Sequence, residues 1–192
     1  QGYDCDGNCL TDVDDCGVCD GDNSTCLGFQ EIELLSGWNL WSTYINTGEE
    51  DIQSIFNEIV GDIVIVKDES GSVYWPQFAL NTIGSLTIGK GYQVKMSALN
   101  TLVLEGDLVP FDYNIVLDEG WGIVGYLNQD CFDAEEMMVP IFNDLAILKD
   151  QNGSVYWPAF GLNSIGNMCP GQGYQIKMSA ATTFNYPASG GQ

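Results

Sequence analysis

The stretch Lys67-Asp68-Glu69-Ser70-Gly71-Ser72-Val73-Tyr74-Trp75-Pro76 returns as Lys149-Asp150-Gln151-Asn152-Gly153-Ser154-Val155-Tyr156-Trp157-Pro158, 82 positions later. The match runs on through Phe78, Leu80, Asn81, Ile83 and Gly84, which recur as Phe160, Leu162, Asn163, Ile165 and Gly166. It ends with Gly91-Tyr92-Gln93 and Lys95-Met96-Ser97-Ala98 against Gly173-Tyr174-Gln175 and Lys177-Met178-Ser179-Ala180. About two-thirds of positions 67 to 98 are identical to their counterparts, which is the mark of an internal repeat. Upstream the echo is looser: Gly37-Trp38 ahead of Tyr44 answers Gly120-Trp121 ahead of Tyr126. The repeat sets three expected segments: a first copy over residues 29–110, a second over 111–192, joined near Pro110, and a distinct leading segment over 1–28.

Within one copy, Glu31-Ile32-Glu33-Leu34-Leu35 and Trp38 to Tyr44 alternate polar and apolar residues, which predicts two strands. Ile52, Ile55, Phe56 and Ile59 fall at i, i+3, i+4 and i+7 behind Asp51, a short amphipathic helix. Ile63 to Val66 reads as a buried strand, Glu69-Ser70-Gly71 as a turn, Val73 to Trp75 as a strand stopped by Pro76, and Tyr92 to Met96 as another. Thr101 to Leu104 adds an expected edge strand. In the second copy Asp133 to Met138 is the helical turn, with strands over Ala146 to Leu148 and Tyr174 to Met178. The expected fold class is β-rich α+β: two tandem copies of a small domain of antiparallel strands with one short helix each, behind a disulfide-rich N-terminal segment.

Charge narrows the partners. The 192 residues carry a formal charge of -22, with five lysines, no arginine and no histidine, so the surface repels phosphate backbones and anionic headgroups. No nucleic acid partner and no membrane insertion are expected. Without histidine, imidazole-dependent catalysis is excluded, and an enzyme would have to work through thiols or through carboxylates, as in glycoside hydrolysis. No acid recurs with the aromatic framing of a cleft, so no enzyme is expected. Gln1 follows no leader pattern and reads as the start of a mature or excised chain, able to cyclise to pyroglutamate.

Residues 1–28 hold five of the seven cysteines among Asp and Gly, with almost nothing apolar to bury. Only crosslinks or metal order such a segment. Acidic residues at i and i+2 beside glycine let hard oxygen ligands converge on calcium, and Asp4, Asp6, Asn8, Asp12, Asp14, Asp15, Asp20 and Asp22 are the candidate ligands. An EF-hand is excluded, since a loop opening at Asp12 has Cys16 at position five and Asn23 at position twelve. Cys16-x-x-Cys19 also has zinc-binding spacing, but the density of cysteine suits an oxidising, extracellular compartment and disulfides. Cys131 and Cys169, both in the second copy, are expected to pair. If each loop closes locally, Cys9 joins Cys16 and Cys19 joins Cys26, which leaves Cys5 for a partner outside this chain or in upstream sequence.

The Tyr-Trp-Pro tripeptides make Tyr74, Trp75, Tyr156 and Trp157 candidate binding aromatics, with packing in the core as the competing reading. Gly-Lys-Gly-Tyr-Gln and Gly-Gln-Gly-Tyr-Gln lack the ending of a phosphate loop and read as turns. Lys67, Lys95, Lys149 and Lys177 are each expected to pair with a nearby carboxylate. Asn23-Ser24-Thr25 and Asn152-Gly153-Ser154 fit the glycosylation sequon and mark exposed turns.

On Gly37-Trp38-Asn39, the Tyr-Trp-Pro turn and Gly-x-Gly-Tyr-Gln, the repeated unit resembles domains of secreted and surface proteins of Bacteroidota-like marine bacteria. The leading segment resembles acidic Cys/Gly calcium-binding extracellular repeats. Cys16 to Cys26 is similar to a short cysteine motif of secreted thrombospondin-motif metalloproteases and, more weakly, to thrombospondin type 3 repeats. The resemblance implies a secreted, cell-surface location. The expected function is a non-catalytic structural or adhesive module of a surface fibre, appendage or large adhesin, with self-assembly through other protein subunits. The alternative is a carbohydrate-binding module using Trp75 and Trp157 on glycans.

Overall fold

The structure is a computed structural model that describes residues 27–48, 51–110 and 112–187. The candidate calcium ligands from Asp4 to Asp22 and Cys5, Cys9, Cys16, Cys19 and Cys26 lie outside these.

The described chain is β-rich and antiparallel, with two one-turn α-helices and short 3-10 turns. The first part runs β1 (Leu27–Leu34), β2 (Gly37–Trp41), β3 (Ile45–Asn46), α1 (Ile52–Ile55), β4 (Ile63–Lys67), β5 (Val73–Trp75), β6 (Leu80–Asn81), β7 (Tyr92–Met96) and β8 (Asn100–Leu108). The second runs β9 (Ile115–Leu117), β10 (Gly120–Gly125), β11 (Phe132–Asp133), α2 (Ala134–Met137), β12 (Leu145–Lys149), β13 (Val155–Trp157), β14 (Leu162–Asn163), β15 (Asn167–Met168), β16 (Gly173–Met178) and β17 (Thr182–Phe184). Two five-stranded sheets carry the architecture, ordered β2-β7-β4-β5-β6 and β10-β16-β12-β13-β14. The repeated sequence makes the same strand order twice.

Each helix starts on the aspartate that precedes it. Asp51 accepts a hydrogen bond from the Gln53 amide at 2.8 Å, and Asp133 does the same for Glu135 at 2.8 Å. These bonds satisfy amides that have no partner within the helix. Asn81 donates to Asp51, and Asn163 to Asp133, so the recurring Asn ties the strand after each Tyr-Trp-Pro turn to the helix cap. The predicted apolar run is buried, though only its first turn is α-helical: Ile52 and Ile55 lie on α1, Phe56 caps it and Ile59 sits on the 3-10 turn that follows, and all four lie in the first core. That core packs the inner face of the first sheet, with Trp41, Val66, Tyr92 and Val94, against α1 and the strands β1 and β8. The second core repeats the plan with Val124, Leu148, Tyr174 and Ile176 against Met137, Met138 and Phe184.

Two expectations gain detail. Thr101 to Leu104 lies within the nine-residue β8, which pairs with β1 along its length and with β3 only at Asp107 and Leu108, so β8 is the middle strand of β1-β8-β3 while residues 101–104 are paired on one side alone. Its Leu102 and Leu104 turn into the core, opposite Ile32 and Gln30. The join near Pro110 is packed against both halves. Val109 is buried in the second core, and its amide donates to the Tyr44 carbonyl at 2.9 Å.

The two sheets meet through matched pairs of contacts. The Ser42 amide donates to the Gly171 carbonyl, and the Gly125 amide to that of Gly89. Isolated antiparallel bridges join Trp41 with Gln172 and Lys90 with Val124. The turn after β12 sends Gln151 to accept from the Leu40 amide at 3.2 Å, while the turn after β4 sends Glu69 to accept from the Ile123 amide at 2.9 Å. Each pair repeats with the halves exchanged, as in an isologous dimer interface contained within one chain. The free amides of β2 and β10, which are edges in their own sheets, are thereby given acceptors.

Glycine makes this approach possible. A Cβ on Gly91 would lie 2.6 Å from Ile123 Cγ2 and 3.0 Å from the Val124 carbonyl oxygen, and one on Gly173 would lie 2.9 Å from the Trp41 carbonyl oxygen. The second glycines of the two Gly-x-Gly-Tyr-Gln segments are thus seam residues, Gly91 just ahead of β7 and Gly173 at the start of β16.

Candidate tryptophan and lysine cleft

Directly opposed residues of paired strands share one face of a sheet. On the outward face of the first sheet, Trp38 lies opposite Lys95, and Gln93 is flanked by Leu40 and Lys67. On the second, Trp121 lies opposite Lys177, and Gln175 is flanked by Ile123 and Lys149. The register therefore sets a tryptophan, a glutamine and two lysines together on each face. The lysine ammonium groups lie over the indoles: Lys67 and Lys95 at 5.3 and 5.9 Å from the Trp38 ring, Lys149 and Lys177 at 5.1 and 5.8 Å from that of Trp121. These are cation–π distances near the outer limit of useful attraction. Both rings remain open, 51% and 55% exposed.

Here the expected lysine–carboxylate pairs are corrected. Among the described residues the only ion pair is Lys90 with Glu69, at 2.5 Å. The four repeated lysines face indoles and amides because strand alternation puts those side chains on their side. The neighbouring acids are committed elsewhere: Asp68 accepts from the Ser70 and Ser72 amides, and Asp150 from those of Asn152 and Ser154. Such bonds fix the turns that carry Glu69 and Gln151 across to the opposite half.

The outward faces form two adjoining clefts. One, of about 410 Å³, lies between Trp38 and the Lys149-Asp150-Gln151 turn. The other, of about 330 Å³, lies between Trp121 and Asp68-Glu69. Gln93, Lys149 and Gln175 line both, so the clefts are continuous, and each takes walls from both halves. Both volumes fall in the range of small-ligand sites. Neither the Gln93 nor the Gln175 side-chain amide has a hydrogen-bond partner among the described residues, so donors and acceptors stand available there. The arrangement suits flat, polar, anion-bearing ligands: indole faces for C–H surfaces, amides for hydroxyls, ammonium groups for negative charge.

The aromatics singled out in the sequence lie elsewhere. Tyr74 and Tyr156 are buried in the two cores. Trp75 is half-buried with its ring edge-on to Phe78 at 4.7 Å, and Trp157, 39% exposed, makes the same contact with Phe160 at 4.6 Å. The signal that finds Trp38 and Trp121 instead is strand parity: they share a face with the repeated lysines. Cys131 and Cys169 are joined by a disulfide, next to the short β11–β15 ladder. Asn152 is exposed, in the turn that walls the first cleft. Among the described residues no group of three or more Cys, Asp or Glu is placed to hold a metal ion, and no helix is long and apolar enough to cross a membrane.

Comparison with protein-family models, with curated proteins and with solved structures yields no match.

Proposed function

We propose that this chain is a non-catalytic extracellular module, structural and adhesive, within a surface fibre, appendage or large adhesin. Its globular part is a duplicated unit fused across a reciprocal seam, and its leading Cys/Asp segment is a calcium-stiffened connector to a neighbour. The observation that supports the adhesive reading best is the paired Trp38 and Trp121 faces, which gather four of the five lysines of a chain with a charge of -22. Solvent-exposed tryptophan next to cations that lack a carboxylate partner among the described residues does little for stability and much for contact with a partner. The Cys131–Cys169 disulfide suits the same compartment.

Immunoelectron microscopy of the native material, using antibodies against the globular part, tests the reading. Regular label along surface structures is the expected result; label confined to unattached material contradicts it. For the connector, EDTA is expected to lower the melting temperature and added calcium to restore it. An unchanged melting curve contradicts the calcium assignment.

A further inference from the structure

Resting on the adhesive reading, we propose that the Trp38–Trp121 face binds an anionic polysaccharide, with sugar rings packed on the indoles and carboxylate or sulfate groups held by Lys67, Lys95, Lys149 and Lys177. Three independent features converge on this ligand. The four lysines have no carboxylate partner among the described residues, so their charge is available to an incoming anion. In a chain whose overall field repels polyanions, such a cluster concentrates attraction at one place. Lys149 lines both clefts with the other three lysines on the flanking faces, while the carboxylates that also line them are engaged, Asp68 and Asp150 by turn amides and Glu69 by Lys90 and the Ile123 amide. The indoles keep about half of their surface exposed beside the lysines that lie over them, and that surface suits the C–H face of a pyranose ring. The uncommitted amides of Gln93 and Gln175 sit where the two clefts join, able to bond hydroxyl groups on a chain running from one cleft to the next.

Continuity and duplication favour a polymer. Two similar faces joined through a common floor let one chain engage both indoles, and linked engagement raises overall affinity above that of either site alone. An acidic polypeptide would satisfy the lysines but leave the indoles and amides unused. For that reason the observations favour a sugar chain over a protein segment.

The test uses the full chain, titrated with polygalacturonate, dextran sulfate, neutral dextran and poly-aspartate, followed by tryptophan fluorescence and calorimetry at two salt concentrations. Expected is saturable binding of polygalacturonate or dextran sulfate that weakens with salt. Neutral dextran and poly-aspartate are expected to bind at least about tenfold more weakly. The tighter of the two anionic sugars identifies carboxylate or sulfate as the recognised group. A Trp38→Ala/Trp121→Ala variant should lose about tenfold or more in affinity while keeping its circular dichroism. Lys149→Gln, which keeps every ring, should lower both affinity and salt sensitivity. Poly-aspartate binding as tightly as the sugars, neutral dextran binding equally, no binding by either anionic sugar, or unchanged affinity in both variants would overturn the proposal. Surface labelling of native material would still stand in each of those cases, so this failure is separable from that of the adhesive reading.

Discussion

Ser42 does the work of a connector with one hydroxyl. It is buried, donates to the Gln172 carbonyl at 2.5 Å and accepts from the Tyr126 amide at 3.0 Å, so three segments meet on one oxygen. Replacing it by alanine strands the Tyr126 amide away from water, which costs about 1–3 kcal/mol. Chemical denaturation of Ser42→Ala should show that loss, and a difference below a few tenths of a kcal/mol contradicts it. Gly91→Ala makes the same point by steric means. Its added carbon meets Ile123 and the Val124 backbone, and overpacking of this kind costs roughly 1–3 kcal/mol. Gly61, with nothing within 4 Å of an added Cβ and no positive φ, is the control, and its alanine variant should stay within about 0.5 kcal/mol of the parent. The sequence marks Gly91 only as a turn residue, since nothing local in Gly-Lys-Gly-Tyr-Gln says that a distant strand passes over it.

At the scale of elements, the strands and helices follow from local pattern, and their pairing does not. Asp51 ahead of an i, i+3, i+4, i+7 run gives α1 and its buried face, and Val73-Tyr74-Trp75 before Pro76 gives a strand with its stop. What β8 pairs with, and hence that it is central, depends on contacts far along the chain. The cleft shows the same limit. Trp38, Lys95 and Lys67 come from three strands, and only their register puts them on one face. The Cys131–Cys169 disulfide belongs to this scale too. It spans 38 residues, closing the loop that holds α2, β12, β13 and β14, and a loop of that length gains roughly 3–4 kcal/mol by the chain-entropy estimate. A Cys131→Ser/Cys169→Ser variant should lose about that much in denaturant titration. The first half reaches the same strand order with no cysteine in its described residues, so the variant should keep the native circular dichroism at low temperature.

For the whole molecule, alkaline pH probes the second core. Burial raises the phenol of Tyr126 to about 12, and it pushes Tyr174 and Tyr186, which share that core, upward as well. These groups are raised above the ordinary value near 10, so the unfolded chain ionises first. Their contribution is therefore complete below about pH 10 and is lost as pH climbs through the folded values. Stability should hold level to about pH 10 and then fall, with phenolate absorbance appearing together with unfolding; ionisation of all three in a still-folded protein contradicts this. The two halves form one body through bonds donated by backbone amides across the seam, and the shared cleft depends on them. Amide hydrogen exchange of the intact chain measures those bonds one by one. The amides of Ser42, Gly91, Ile123, Gly125 and Tyr126 should exchange as slowly as Val66 and Val94 in the core, and exchange at the rate of exposed turns would show that the halves part freely.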